Sequence, residues 1–207
     1  MGLFQCHDDA RNSSTERPVA LGRRAVTELI GRPPEETGMV KRVSVSDLPD
    51  APNPTSGKKE VDEAVGASAF GFNVYEVRPG ERVPWGYHSH PDHEELFYVV
   101  SGTITVDTED GPVRAEAGDA VFVSPGEKNR ARNDGAEAAE VIAVGAPKDE
   151  DGAVIEEECP ACGAVTDRTY ESVESGGRTE YVLSCAACGA ETDQFGAGPD
   201  DGNETGA

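Results

Sequence analysis

Between Phe70 and Val144 the chain passes through a series of short apolar runs separated by turn residues, with no helical period among them. The runs are Phe70 to Val77, Glu95 to Val100, Thr103 to Thr108, Val113 to Glu116, Ala120 to Ser124 and Ala138 to Val144, each rich in β-branched or aromatic residues. Parallel strands need a long crossover, usually a helix, and no such helix is written between these runs. The region is therefore all-β, as a sandwich or a closed barrel. Within TITVDT, Ile104 and Val106 fall on one face and Thr103, Thr105 and Asp107 on the other. Asp110 and Gly111 supply a tight turn back to Val113.

The flanks differ in character. Residues 1–17 are polar and aperiodic and are expected to be disordered. Residues 18–60 are expected to form a short helix and an extended arm. In VALGRRAVTELI, Leu21, Ala25 and Leu29 recur at spacing four, and Gly31, Pro33 and Pro34 end the run. Residues 61–147 hold the β domain. A second, cysteine-bearing module is expected at 153–195, and 196–207 read as a disordered tail.

With 40 Asp and Glu against 18 Lys and Arg, the formal charge is −22. Such a surface repels nucleic acid and anionic membranes. The acid is spread over nearly every segment and Lys is scarce, a composition that resembles proteins of salt-loving archaea, so the chain is expected to be halophilic. No apolar run is long enough to span a bilayer, and the first residues lack a signal-peptide core, so the expected compartment is the cytoplasm.

His88, His90 and His93 fall within six positions. On a strand, residues 88 and 90 point the same way, and Glu95, opening the run ELFYVV, brings a carboxylate from a neighbouring strand. Two imidazoles and a carboxylate suit a divalent transition metal with open positions, iron, manganese or zinc. Trp85 and Tyr87 are expected at the mouth of the resulting pocket, and one of Phe97 and Tyr98 at its wall. His93, in the turn after Pro91, is expected to be solvated. Arg130 and Arg132 read as surface arginines paired with local acids, or as a grip for a substrate carboxylate.

The stretch GERVPWGYHSHPDHEELFYVVSG, Gly80 to Gly102, resembles the first motif of the cupin superfamily, and GDAVFVSPGEKNRARN, Gly118 to Asn133, resembles the second. The resemblance implies a jelly-roll barrel, a metal held by His88, His90 and Glu95, and a homodimer paired through the outer sheet. Where the family usually places a fourth, histidine ligand, this chain has Asn129, a weak ligand or a hydrogen-bond donor behind the ligands. The functional alternatives are a metal-dependent oxygenase or isomerase on a small polar substrate, and a non-catalytic ligand-binding or sensor domain.

Cys159-Pro-Ala-Cys162-Gly and Cys185-Ala-Ala-Cys188-Gly stand 22 residues apart. Two such knuckles aim four thiolates at one point, and no helix follows either pair, as a redox dithiol would want. The module resembles a zinc ribbon holding a structural zinc. With Arg168 and Arg178 as its basic side chains it lacks a nucleic-acid surface, so protein contact or packing against the β domain is the expected use. The fold expected for the whole is a β-barrel with a short N-terminal helix and a small C-terminal ribbon.

Overall fold

The computed structural model describes residues 40–150, 152–175 and 178–196. Its strands are β1 (Gly57–Glu60), β2 (Gly71–Val77), β3 (Arg82–Ser89), β4 (Glu94–Ser101), β5 (Thr103–Thr108), β6 (Gly111–Glu116), β7 (Ala120–Val123), β8 (Asn129–Arg132), β9 (Ala139–Ala146), β10 (Val154–Glu158), β11 (Val165–Ser175), β12 (Arg178–Cys185) and β13 (Glu191–Gly196). The one α-helix among the described residues, α1, is the single turn Val61–Val65 between β1 and β2. The expected helix at 19–30 and the expected disorder at 1–17 and 197–207 lie outside the described residues.

The strands form two antiparallel sheets, one ordered β1-β2-β9-β4-β7 and one β13-β12-β11-β10-β3-β8-β5-β6. The first ends on β1 and β7 and the second on β13 and β6, so neither closes on itself or on the other. This corrects the expected jelly-roll barrel to an open pair of sheets, and the helix described, α1, is an interior turn rather than the expected N-terminal one. The physical reason is that a sandwich and a barrel bury the same alternating residues. Closure depends on edge pairing, which periodicity does not encode.

The core lies between the sheets. Phe97 and Val99 of β4, Val77 of β2 and Val141 of β9 face Val83 of β3, Ile104 and Val106 of β5 and Ala131 of β8, all essentially without exposure. Ile104 and Val106 point inward as the alternation predicts, and Thr105 on the opposite face is also buried, donating to Asp134 at 2.9 Å.

Strand β3 is missing from the sequence-based set because Pro84 and Gly86 interrupt its alternation. The pairing with β8 shifts register between Val83 and His88 at that place. The cysteine strands join the sheet of the histidine strand. Val154 and Ile155 of β10 pair with Ser89 and His88 of β3, so β10 to β13 extend the sheet that carries the histidines. The cysteine-bearing strands thus form the outer half of an eight-stranded sheet. Gly86 permits this join: a Cβ there would stand 2.8 Å from Ile155 Cγ2 and 3.3 Å from the Glu157 carboxyl carbon.

Candidate metal centre and cavity

His88 leaves β3 on the inward face and is 1 % exposed, while Glu95 of β4 approaches from the opposite sheet. His90 follows β3 directly, and its carbonyl accepts a hydrogen bond from Gly126 N at 2.7 Å, so the turn after β7 fixes the backbone beside the site. One donor atom from each of His88, His90 and Glu95 lies within 4.8 Å of the others.

The tautomer of His88 is set by its surroundings. Its Nδ1 lies 3.1 Å from the carbonyl of Gly86, which can only accept, so Nδ1 carries the proton and Nε2 presents a lone pair. That Nε2 is buried without a hydrogen-bond partner and lies 3.5 Å from Glu95 Oε2. Two buried acceptors facing one another at that distance repel unless a cation stands between them. The donor set and the orphaned nitrogen therefore fit a divalent transition metal, held by His88, His90 and Glu95.

Asn129 lies opposite His88 in the β3–β8 register and is fully buried. Its Nδ2 donates to Glu95 Oε2 at 3.2 Å, while its Oδ1 has no partner. It thus steadies the carboxylate and offers a spare amide oxygen. His93 departs from the expected solvated side chain: it is 7 % exposed, its Nδ1 donates to the Pro147 carbonyl at 2.9 Å, and its ring stands 4.7 Å from that of His90. The bare backbone of Gly145 makes room, since a Cβ there would come within 1.9 Å of His93 Nε2.

A cavity of about 630 Å³ opens from this centre. Trp85 lines it and packs against Tyr170, Tyr181 and Phe195 of β11, β12 and β13, with centroids 4.8 to 5.3 Å apart. Tyr87 points to the other face of β3, into a shallower cavity with Asp107 and Glu156. Phe97 lies in the core at 0 % exposure, and Tyr98 is 40 % exposed on the outer face of β4. Arg130 and Arg132 pair with acids: both hold Asp107, Arg130 also reaches Glu157, and Arg132 reaches Asp134. Burial alone would raise the Asp107 pKa, but hydrogen bonds from Arg132 and Arg130 hold it below the usual carboxylate range. Sequence reasoning missed Tyr170 and Arg168 as cavity residues, because nothing local says that β11 returns to β3.

The four described cysteines converge on one point, with Cys159 Sγ 3.8 Å from Cys188 Sγ and Cys162 Sγ 3.9 Å from Cys185 Sγ. A tetrahedral zinc with arms of about 2.3 Å separates its sulfurs by about 3.8 Å, so the cluster fits that ion. The two knuckles match bond for bond. Gly163 N donates to Cys159 O and Gly189 N to Cys185 O, each at 2.8 Å, and Gly163 and Gly189 sit at φ 72° and 71°. Cys6 lies outside the described residues.

The class of this protein is a two-sheet β fold with a two-histidine, one-carboxylate cluster between its sheets. Residues 73–145 match the family model described as the cupin domain. The chain is similar to protein SchB of Streptomyces halstedii, 38 % identical over 70 residues, 34 % of this chain and 49 % of that one. It is also similar to the tetracenomycin polyketide synthase protein TcmJ of Streptomyces glaucescens, 34 % identical over 79 residues, 38 % of this chain and 52 % of that one. The chain spans about half the length of the curated relatives it matches. Among solved structures, a sugar phosphate isomerase of the cupin superfamily from Silicibacter pomeroyi shares 17 % identity at a TM-score of 0.47, over 78 % of this chain and 94 % of that one. The relatives named are from Streptomyces and give the expected salt-loving archaeal origin and halophilic character no support. The expected homodimer gains no support from these comparisons. Among the described residues no helix is long and apolar enough to cross a membrane.

Proposed function

We propose that the chain is a metal-dependent cupin of the oxygenase or isomerase type, acting on a small polar molecule at an iron, manganese or zinc ion held by His88, His90 and Glu95. The observation that carries this reading is the buried, unpartnered His88 Nε2, fixed as a lone-pair donor by the Gly86 carbonyl and facing Glu95. When bound, the metal supplies a Lewis acid that polarises a carbonyl or hydroxyl oxygen of the ligand. The chain's own part is to hold the three donors in place, with Asn129 steadying the Glu95 carboxylate. Trp85 lines the cavity that opens from the centre. The likeness to a tetracenomycin polyketide synthase protein favours a polyketide-type substrate for the matched domain. The cysteine cluster holds a structural zinc that supplies folding free energy to the outer half of the large sheet.

Elemental analysis of the purified chain, grown in turn with iron, manganese and zinc, tests this. Two metal ions per chain are expected, falling to one in His88→Ala. A wild-type chain that never binds more than one zinc, held by the cysteines, would sink the catalytic reading.

Asn129 favours a second reading, a ligand-binding or sensor cupin, because an amide stands where a stronger imidazole donor would complete the ligand set. A chain that carries both metals, binds small organic molecules and neither consumes oxygen nor isomerises them would support it.

A further inference from the structure

The cavity above the three ligands has a cation that no carboxylate meets among the described residues. Three basic side chains line it, Lys58, Lys148 and Arg168. Lys58 is neutralised by Glu60 at 2.7 Å, and Lys148 by Asp62 at 2.5 Å and Glu63 at 2.7 Å. Arg168 has no ion pair among the described residues, in a chain whose net charge is −22. Its guanidinium donates only to the backbone carbonyls of Thr166 and Glu158, at 3.0 Å each, which orients the group and leaves three of its five N–H donors unspent. A planar, half-buried cation with spare donors and no ion pair among the described residues suits an anion from outside.

The position of Arg168 comes from the cysteine cluster. Arg168 lies opposite Cys185 in the β11–β12 register, and two residues further along β11 Tyr170 sets its ring edge-on to Trp85, centroids 5.3 Å apart. One cavity wall thus presents flat aromatic surface and a guanidinium together, while the donor trio lies on the cupin side of the same cavity.

We infer that Arg168 is the anion-binding residue of the cupin cavity and that its ligand is a planar aromatic carboxylate, gripped by the guanidinium, stacked along Trp85 and Tyr170, and presented to the metal centre. The inference rests on the proposed function above and names the class of molecule that centre receives. It also gives the cysteine module a task in ligand binding beyond its own folding.

The test uses the full chain with both metals loaded, and as probes 2-naphthoate and its uncharged counterpart 2-naphthamide. Calorimetry gives the affinities. Emission of Trp85, the single tryptophan of the chain, reports whether the probe sits at the cavity wall. Wild-type protein is expected to prefer the carboxylate at least tenfold, with Trp85 emission changing on binding. Arg168→Gln keeps amide donors for the two carbonyls and removes the charge, and is expected to abolish the preference while zinc content stays at one per chain. No preference in the wild type, or a preference kept in Arg168→Gln, overturns the inference. Should Arg168→Gln shed its zinc, Arg168→Lys decides: a point charge makes a poorer grip, so a fall of threefold or more supports the inference and an unchanged preference overturns it. Metal analysis of the same samples keeps the two readings apart. A chain with an empty trio but an Arg168-dependent preference defeats the proposed metal function alone, and a loaded trio without the preference defeats this inference alone.

Discussion

Asn129 donates to Glu95 through Nδ2 and leaves Oδ1 without a partner, and single substitutions separate what each atom contributes. Its amide is the buried donor to the Glu95 carboxylate, and hydrogen bonds to charged groups contribute about 1.5–3 kcal/mol. Asn129→Ala is expected to lower stability by about that amount in denaturant titration of the metal-free chain. A loss under about 0.5 kcal/mol would show that the contact is not a working hydrogen bond. Asn129→His adds an imidazole beside the trio and is expected to tighten divalent metal binding by about tenfold or more. Unchanged affinity would mean that position 129 does not reach the ion. At Gly145 the constraint is space, because a methyl group there would occupy the place of the His93 ring. Gly145→Ala is expected to expel that ring, break its bond to Pro147 and weaken metal binding, read by the chemical shifts of His90 and His93. The trio was legible in the sequence because alternation and spacing are local properties. The burial of His93 was not, because it depends on a glycine and a carbonyl some fifty residues away.

Among the elements, β10 decides most. Its two pairs with β3 join the histidine strand to the cysteine strands, and Glu157 from β10 accepts the backbone N–H of Tyr87 at 2.8 Å. The approach is close enough that Gly86 cannot carry a side chain without moving Ile155. Gly86→Ala is therefore expected to loosen β10 from β3, destabilise the chain by about 1–3 kcal/mol as overpacking does, and raise amide exchange at Val154 and Ile155 more than in β4 and β9. Uniform exchange across both sheets would contradict this. Strands β5, β6 and β9 were readable from alternation. Strands β3, β8 and β10 were not, because Pro84, the short length of Asn129–Arg132 and the polar run of Glu156 to Glu158 hide them from any periodic signal.

At the scale of the whole molecule, the histidine strand β3 and the cysteine strands belong to one sheet. Removing zinc should free β11 to β13 and uncover Trp85, which loses Tyr170, Tyr181 and Phe195 together. A red shift of its emission on treatment with a strong chelator, reversed by added zinc, is the expected result, and an unchanged spectrum would place the aromatic cluster outside zinc control. Acid should act in the same direction. The backbone N–H of Cys162 first, and that of Ala161 more weakly, pull the Cys159 thiol down to about 6 from an ordinary 9.0, against the effect of desolvation. The Ala190 N–H favours the Cys188 thiolate, yet sulfur contacts led by Cys162 push that thiol up to about 11. Because the Cys159 pKa is depressed on folding, its contribution to stability is complete above about pH 9 and is lost as pH falls through about 6. Protons compete with zinc for the same sulfurs, so zinc release to a chromogenic indicator should rise below about pH 6. Release that rose with increasing pH instead would contradict the assignment. The acidic composition also reads differently once folded: Asp107, Glu156, Glu157, Asp62 and Glu63 are spent on ion pairs between elements, so part of the acid is structural.

By itself the sequence determined an all-β central region, the donor trio and the two cysteine knuckles, because strand alternation, ligand spacing and turn chemistry act over a few residues. Only the tertiary structure decided that the sheets stay open, that the cysteine strands continue the histidine sheet, and that Arg168 and Tyr170 stand over the cavity. These depend on which edges pair and which faces meet across more than sixty residues of chain, as between Ser89 and Val154, and no local pattern records that choice.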